Sequence, residues 1–504
     1  MDAATPAPRI RARLLLPLGL ACCALSLGGF LALSVLGPSA VQPALGAGGG
    51  PPWALNAGLD PRAAVALLAA AITLAGAGLA LCLAAVRRGF RPRSGPILAA
   101  GVLAALAFAV TPPVGSSDHL NYASYGHMAA LGLDPYTTTA VDLGSDAYGL
   151  AVQEWRTTPS VYGPFVTWTQ EFAVWAGGDT VRGTVFALSL INALVFVLIG
   201  LVLRRTARDE PGRLRAALLW SANPLLLYQL VSGAHNDVLA IGAAVLALAV
   251  CTAGVRRASR AGAVWRAFGA GALTGAALAM KFPAGLVGGG AAWPLLRARR
   301  WGGLAALAAG ALTVAGAAYA AVGFGAFDQV RKASQFVSLA NPWHLVAGRG
   351  GGVLNVGLPK DLVPVLSLGL MVLLIWLLGR ALPEADEAVR TAAVLVFAWL
   401  FAASYALPWY DGLGWAVLVL LPWSRFDWIM LARTVALSLA YLPARDPVLA
   451  GLPDGLHWLV TGLRATVMPF VLAAVLAALV GTCLARRPVP VLVRTPPAPA
   501  GPPA

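Results

Sequence analysis

The stretch PILAAGVLAALAFAVTPPV (residues 96–114) is followed, after one glycine, by SSDHLNYASYGHMAALGLDPY (residues 116–136). The first run is apolar and about as long as a bilayer core requires, whereas the second carries aspartates, histidines and tyrosines. Comparable apolar runs recur along the 504 residues, which are 59% hydrophobic and only 11% charged. Soluble proteins carry about 25% charged residues. The pattern therefore predicts an all-α, polytopic integral membrane protein with outer-face amphipathic helices.

The apolar runs predict about 12–14 transmembrane segments. One stretch, residues 267–296, is broken at MKFPAG (280–285), and its proline and glycine favour a hairpin of two half-helices. We predict one transmembrane domain over residues 1–485 and a disordered, Pro/Ala-rich cytoplasmic tail over 486–504. The predicted spans lie near residues 14–36, 63–86, 96–114, 183–203, 216–233, 237–255, 302–322, 361–379, 391–407, 412–423, 428–442 and 465–485.

Arginine clusters between the runs predict the orientation of the chain in the membrane. They fall on one side, which the positive-inside rule makes cytoplasmic, and they account for the net charge of +15 without any nucleic acid partner. Residues 115–182 then form the first large extracytoplasmic loop. All five histidines fall on or near outer loops, so the polar chemistry is expected outside. The clusters are at 87–93, 204–215, 256–266, 297–300, 380–390 and 486–494.

The polar stretch after the first quoted run predicts a short helix that begins at Ser116 or Ser117. Asp118, Tyr122 and Tyr125 have the spacing i, i+4, i+7 and would share one face, with Asn121 beside them. Asp118 would lie in the first turn, where a carboxylate caps a helix. Two readings stay open: Asp118 only caps the helix, or it is a general base held at the membrane boundary.

Two further stretches carry candidate binding residues. In EWRTTPSVYGPFVTW (154–168), Trp155 and Tyr162 either stack on a sugar face or belong to an interfacial aromatic belt. In SGAHNDVLA (232–240), three adjacent polar residues either cap a helix or bind hydroxyl groups or a metal. These three residues are His235, Asn236 and Asp237.

Cations in the apolar context are candidates for binding a phosphate. Lys281 lies alone in the 267–296 stretch, where it either pairs with an anion or snorkels to the interface. Arg331 and Lys332 form a second candidate clamp in an outer loop. Trp409 and Tyr410 lie in LPWYDGLGW, an aromatic break at an outer helix end. The sequence contains no nucleotide-binding glycine pattern and no HExxH motif.

Five motifs occur in a fixed order: the 116–136 stretch, SVYGPF, GAHNDVLAIG, MKFPAG and LPWY. In this order they resemble the polyprenol-phosphomannose-dependent α-1,6-mannosyltransferases of actinobacterial cell envelopes, which are multi-span GT-C glycosyltransferases. The resemblance covers about residues 115–415. It implies a GT-C-like fold and inverting transfer of mannose from a polyprenyl-phosphate mannose donor to a mannoside glycolipid acceptor, in lipomannan or glycolipid biosynthesis at the outer face of the cell membrane.

The resemblance also implies roles for the candidate residues. Asp118 matches the position of the catalytic base, and the family pattern often has another residue at the position of His119. No cofactor is implied with certainty, and the motif order permits a divalent metal near Asp118, Asp237 and His235 without requiring one. The predicted phosphate-binding residues are Lys281, Arg331 and Lys332. The predicted substrate-binding residues are His119, Asn121, Tyr122, Tyr125, Trp155, Tyr162, His235, Asn236, Asp237, Trp409 and Tyr410.

Three functions other than mannosyl transfer are also considered for a chain with these motifs. A lipid-linked sugar flippase or transporter would distribute charged residues through the membrane midplane and show repeat symmetry, whereas here polar residues gather at one face. A related GT-C arabinosyltransferase shares parts of the motif pattern. A structural membrane subunit would leave Asp118, Asn236 and Asp237 without a common purpose.

Overall fold

The computed structural model describes residues 7–46, 48–253, 259–333, 335–347, 353–354, 356–359 and 361–485. Within these ranges every named element is helical, and six helices are long and apolar enough to cross a membrane. The predicted all-α, multi-pass fold class is therefore confirmed, while the predicted tail at 486–504 lies outside the described residues. The six helices are Leu14–Leu36, Pro61–Arg87, Val181–Thr206, Trp301–Val322, Leu362–Ala381 and Asp454–Leu484.

Several helices of the first half of the chain begin at a polar cap or a proline residue. Asp60 caps α2 by accepting hydrogen bonds from the amides of its first turn, and Pro61 occupies the first helical position. The helices are α1 (Ala7–Leu36), α2 (Pro61–Arg87), α3 (Ser94–Ala109), α4 (Asp118–Ala130), α5 (Ala147–Ala151), α6 (Pro164–Ala176), α7 (Val181–Thr206), α8 (Glu210–Ala216), α9 (Pro224–Leu226) and α10 (Asp237–Thr252). Short π-helical segments at 217–221 and 227–232 flank α9.

The second half contains the predicted hairpin. Its first helix ends at Leu278, a 3-10 turn covers Phe282–Leu286, and the second helix follows directly, so the predicted break at MKFPAG is confirmed. The helices are α11 (Arg260–Leu278), α12 (Val287–Arg297), α13 (Trp301–Val322), α14 (Ala326–Ala333), α15 (Leu362–Ala381), α16 (Glu387–Ala402), α17 (Asp411–Val419), α18 (Phe426–Ala440) and α19 (Met468–Leu484). Further short 3-10 or π segments lie at 342–345, 408–410, 454–456 and 459–467.

One predicted span, at 412–423, needs a correction, and the span predicted at 428–442 corresponds to α18. The first corresponds to α17, which has 9 residues and is about 14 Å long, too short for a hydrocarbon core of about 30 Å. Every residue of α17 and most of α18 are buried, and a buried ion pair joins Asp411 to Arg433. A helix that is apolar all round can be enclosed by protein as well as by lipid, so hydropathy alone misassigned the segment at 412–423.

Two glycines allow the helices around the polar stretch to approach closely. A β-carbon at Gly126 in α4 would collide with the backbone carbonyl of Gln170 in α6, so this glycine lets the two helices pack backbone to backbone. A β-carbon at Gly163 would collide with the carbonyl of Ala279 at the end of α11, and the amide of Gly163 donates to the carbonyl of Met280 at 2.9 Å. The start of α6 is thereby fixed beside the hairpin turn.

Candidate active site

The first turn of α4 holds Asp118 at the edge of the packed helices. The helix begins at Asp118 itself, and the hydroxyl of Ser116 accepts a hydrogen bond from the amide of Asp118 at 3.0 Å. Ser117 is the residue before the helix, and its hydroxyl donates to Glu154 instead of capping the helix. Residues 119–128 are all buried. α4 is therefore enclosed more fully than the predicted amphipathic surface helix, because α6 covers it.

A cavity of about 100 Å³ opens beside Asp118. Its walls come from α4, the loop before α6, the turn after α11, the end of α14 with Phe336 beyond it, the residues before α17 and the residue after α18. The structure therefore brings together most of the predicted site residues from distant parts of the chain. The predicted residues that line the cavity are Asp118, Asn121, Tyr122, Tyr125, Trp155, Tyr162, Lys281, Trp409 and Tyr410.

The carboxylate of Asp118 is only 14% exposed. Its Oδ2 lies 3.4 Å from the hydroxyl of Tyr122 and 3.7 Å from Nε2 of His235, while its Oδ1 has no hydrogen-bond partner among the described residues. Burial, and then the negative charges of Glu154 and Asp237, raise the pKa of Asp118 to about 7. Such a carboxyl group exchanges a proton readily near neutral pH.

A buried ion pair also lies at the cavity, where Lys281 is part of the wall. Lys281 pairs with Oδ1 of Asp237, and the hydroxyl of Tyr162 donates to Oδ2 of the same carboxylate at 2.8 Å. The ammonium group also lies 3.9 Å from the ring centre of Tyr410 and 5.0 Å from that of Tyr162, so it faces two aromatic rings. In the described part of the chain, Lys281 is the one cation that lines the cavity.

Hydrogen bonds connect Asp118 to this ion pair through two tyrosines. The hydroxyl oxygens of Tyr122 and Tyr162 are 2.9 Å apart. Because Tyr162 gives its proton to Asp237, the single hydroxyl proton of Tyr122 goes either to Tyr162 or to Oδ2 of Asp118, 3.4 Å away. The contact from Tyr122 to Asp118 is long and stabilises the ionised carboxylate only weakly, whereas a protonated Asp118 is able to donate to the oxygen of Tyr122.

His235 lies next to Asp118 and packs against Trp409, a residue of the cavity wall. Its ring stacks on Trp409 with centroids 3.6 Å apart, and its Nδ1 lies 2.5 Å from the carbonyl oxygen of Gln229. A carbonyl only accepts hydrogen bonds, so Nδ1 carries the proton and the unprotonated Nε2 faces Asp118. Burial lowers the pKa of His235 to about 4, which keeps the ring neutral at physiological pH.

Six predicted site residues do not line the cavity: His235 and Asp237, which contact wall residues, and four others. His119 and Asn236 are buried, but neither lines the cavity. The ring nitrogens of His119 have no hydrogen-bond partner among the described residues, and the side chain of Asn192 donates to that of Asn236 at 3.4 Å. Arg331 and Lys332 lie in the last turn of α14, outside the cavity lining. Lys281 is therefore placed better than these two to meet a ligand in the cavity.

Three residues at the site were missed by sequence reasoning. Tyr405 and Tyr441 line the cavity, and Glu154 ties α4 to a distant loop by accepting from Ser117 and from the amide of Asp446 at 2.7 Å. Tyr405 lies two residues before the LPWY motif, so the helix break at this motif could have indicated that Tyr405 belongs to the site. Tyr441 and Glu154 carry no comparable signal, because their neighbours in space are far apart in the sequence.

The residues named for a divalent metal do not fit one. In the described ranges, no three His, Cys, Asp or Glu side chains come together closely enough to bind a metal ion. Asp237 is paired with Lys281, whose ammonium group already neutralises that carboxylate, and a metal would need the same oxygens. We therefore derive no step through a metal ion.

The fold and the cavity define a multi-pass membrane protein with a buried carboxylate, lysine and tyrosine site. Residues 18–297 match the family model described as alpha-(1->6)-mannopyranosyltransferase, N-terminal domain. This match covers more than half of the 504 residues, so the chain belongs to this family, and the resemblance seen in the motifs is confirmed. The matched segment contains Asp118, His235, Asp237 and Lys281.

Similar proteins carry the same description. A probable alpha-(1->6)-mannopyranosyltransferase of Mycolicibacterium smegmatis is 29% identical over 358 residues, which cover 62% of this chain and 63% of the relative. The alpha-(1->6)-mannopyranosyltransferase A of Corynebacterium glutamicum is 31% identical over 26% of this chain and 27% of the relative. The chain thus spans less than two thirds of the length of these relatives.

One solved structure is also similar. The crystal structure of ArnT from Cupriavidus metallidurans bound to undecaprenyl phosphate has a TM-score of 0.39 and 18% identity, and the alignment covers 73% of each chain. The GT-C-like topology of this chain stays a prediction.

Proposed function

We propose that this protein transfers a mannosyl group from a polyprenyl-phosphate mannose to a mannoside glycolipid and forms an α-1,6 linkage. Membership of the mannopyranosyltransferase family supports the sugar and the linkage. The observation that carries the proposal is the cavity, which Asp118 and the buried Lys281 line together with Tyr122 and Tyr162. A base and a cation that line one small cavity suit a displacement at a sugar phosphate.

The reaction is a single inverting displacement. The acceptor hydroxyl attacks the anomeric carbon of a β-linked mannosyl phosphate from the face opposite the phosphate. The new carbon–oxygen bond forms as the bond to the phosphate oxygen breaks, and the bonding electron pair leaves with the phosphate. Asp118, whose side chain lines the cavity, accepts the hydroxyl proton. The phosphate is a good leaving group, so one carboxylate is sufficient for proton transfer.

The tyrosine pair assists Asp118 after it has accepted the proton. Before the reaction, Asp118 receives only a long hydrogen bond from Tyr122, whose hydroxyl also lies 2.9 Å from that of Tyr162, and the carboxylate is left basic. Once protonated, Asp118 is able to donate a hydrogen bond to the oxygen of Tyr122, 3.4 Å away. The network therefore favours the protonated product state of the base, in the direction that the reaction requires.

Lys281 is proposed to stabilise the charge that develops on the leaving phosphate. Its ammonium group has three donors, of which Asp237 engages one and the rings of Tyr162 and Tyr410 face the others. A lipid-linked phosphate at the cavity would meet this cation together with apolar and aromatic walls. The absence of a nucleotide-binding motif in the sequence agrees with a lipid-linked donor.

The outer face of the membrane is the proposed side of the reaction. α10 begins at Asp237 in the cavity region and ends at Thr252, close to the arginine-rich ends of α2 and α7. Because arginines accumulate on the cytoplasmic side of membrane proteins, the opposite end of α10 is assigned to the extracytoplasmic side. A donor in the outer leaflet would reach the cavity there.

The donor is tested by supplying membranes that contain the protein with radiolabelled polyprenyl-phosphate mannose and a short α-1,6-mannoside. We expect a product extended by an α-1,6-linked mannose, as measured by linkage analysis. Parallel reactions receive a nucleotide-linked mannose or a polyprenyl-phosphate arabinose, and membranes that lack the protein serve as the control. Transfer from the nucleotide sugar alone would refute the lipid donor, and preferred transfer of arabinose would refute the assignment of mannose.

The raised pKa of Asp118 predicts a pH dependence. Only the ionised carboxylate accepts a proton, so the rate should rise about tenfold per pH unit below pH 7 and level off above it. An ordinary aspartate, with a pKa of about 3.9, would give a flat profile over the same range. The measurement is kcat/KM for the lipid donor between about pH 5 and pH 8, the range around this pKa, and a flat profile would contradict the assignment.

A further inference from the structure

A second cavity lies at the opposite end of the helices. Its volume is about 780 Å³, and its walls come from the last turns of α2, α7 and α10, the start of α8 and the residues around Trp423. α10 has 16 residues and is about 24 Å long, with Asp237 at its first end and Thr252 in this cavity at its other end. This arginine-lined cavity is therefore separate from the active-site cavity.

The charges around the arginine-lined cavity are unbalanced. Five arginines line it, against two acidic residues. Both acids cap helices: Asp209 accepts from the amide of Gly212 at 2.8 Å, and Asp386 accepts from the amide of Ala388 at 3.0 Å. Their carboxylates are thus engaged at helix N-termini. The arginines are Arg87, Arg91, Arg205, Arg208 and Arg215.

The five arginines fall into two groups. Arg215 is buried, pairs with Asp427 and stacks on Trp423 at 4.6 Å, so its charge is satisfied within the fold. Arg91 donates to the carbonyl of Val86 at 2.6 Å, and Arg87 lies over the ring of Trp428. The side chains of Arg205 and Arg208 are exposed, and their guanidinium groups make no hydrogen bond, ion pair or ring contact with any described residue. The guanidinium donors of these two arginines are therefore free to bind an anion.

The surface that leads to Arg205 is apolar. Leu194, Leu198 and Leu201 are exposed on α7 and precede Arg205 at helical spacing, so the four residues form one stripe along the helix. Because α7 is long and apolar enough to span the membrane, this stripe faces acyl chains and ends at the arginine. The cavity walls continue the apolar surface through the side chains of Val202, Leu203, Ala249, Val389 and Leu421.

We propose that this cavity binds an anionic phospholipid, with the phosphate on Arg205 and Arg208 and the acyl chains along the leucine stripe of α7. Guanidinium groups bind phosphate oxygens through paired donors, and basic pockets between membrane helices are suited to lipid head groups. A soluble phosphate would use the arginines but not the apolar stripe, so the lipid is the favoured source. The proposal does not depend on the mannosyl transfer proposed above.

The test compares the full-length protein with the double variant Arg205→Gln/Arg208→Gln in detergent micelles. Phosphatidylglycerol is added, and lipid bound to the intact protein is measured by native mass spectrometry. We expect the double variant to bind phosphatidylglycerol roughly 30-fold more weakly, because each arginine near a lipid surface contributes about a factor of five. The matched control is Arg299→Gln/Arg300→Gln, which removes two exposed arginines outside the cavity lining and should leave binding unchanged.

Two further additions separate the possible sources of the phosphate. Phosphatidylcholine has the same acyl chains but no net charge, and we expect it to bind the unaltered protein several-fold more weakly. Inorganic phosphate in excess should not displace bound phosphatidylglycerol. Equal binding of lipid by the unaltered protein and the Arg205/Arg208 variant, equal binding of the two lipids, or full displacement by inorganic phosphate would each overturn the proposal. Because both arginines are exposed, their replacement should leave folding intact, which thermal unfolding of each variant checks.

Discussion

Replacing Asp118 by asparagine is expected to lower the rate of mannosyl transfer by about 10²–10⁴-fold, the usual contribution of a positioned base. The amide has nearly the shape of the carboxyl group but cannot accept the proton of the acceptor hydroxyl. The backbone amide of Asp118, which donates to Ser116, is unaffected. The neutral side chain also removes the cost of a buried negative charge beside Glu154. The protein should therefore fold while its chemical step fails.

The matched control is Asp142→Asn. Asp142 lies in the same predicted outer loop, but it is exposed and binds only the neighbouring Thr139. Both variants are assayed in membranes with polyprenyl-phosphate mannose, and both are quantified by their amount in the membrane and by thermal unfolding in detergent. Asp142→Asn should transfer mannose at nearly the original rate. An Asp118→Asn variant that transfers at the original rate would remove the base from the proposed mechanism.

Local periodicity predicted the parts of the fold and the site that depend on neighbouring residues. The break at MKFPAG follows from proline and glycine inside an apolar run, and the shared side of Asp118, Tyr122 and Tyr125 follows from the helical repeat. His119 is directly next to Asp118 but is turned by about 100° around the helix, which agrees with its position away from the cavity. On a helix, a residue next to Asp118 in the sequence therefore need not share its position at the cavity.

Contacts between distant segments could not be predicted from the sequence. The pairing of Lys281 with Asp237 depends on how the hairpin packs against the start of α10, and no local pattern encodes it. Tyr441 reaches the cavity from the end of α18, which hydropathy had assigned to a membrane span. Apolar composition predicts burial well, but it does not distinguish burial in lipid from burial in protein.

The pair of Lys281 and Asp237 predicts the second large effect. The side chains are only 14% and 5% exposed, so removing one partner leaves a buried charge without compensation. Lys281→Met and Asp237→Asn should each destabilise the protein by about 3–5 kcal/mol. The double variant Lys281→Met/Asp237→Asn removes both charges and should recover most of this stability, because an amide at 237 is still able to accept from Tyr162. Thermal unfolding in detergent measures the three differences.

Activity should not recover together with stability. If Lys281 stabilises the charge on the leaving phosphate, the stable double variant still lacks that cation, and its transfer rate should be about 10²–10³-fold lower than the original. A purely structural role for the ion pair predicts the opposite, since transfer would return with the fold. The variant Lys332→Met tests the competing cation of α14, which is outside the cavity lining. If Lys332→Met loses as much transfer activity as Lys281→Met, the phosphate is bound by α14 instead. Rapid transfer by the double variant would show that the cavity works without a cation, because the two replacements leave the aromatic walls in place.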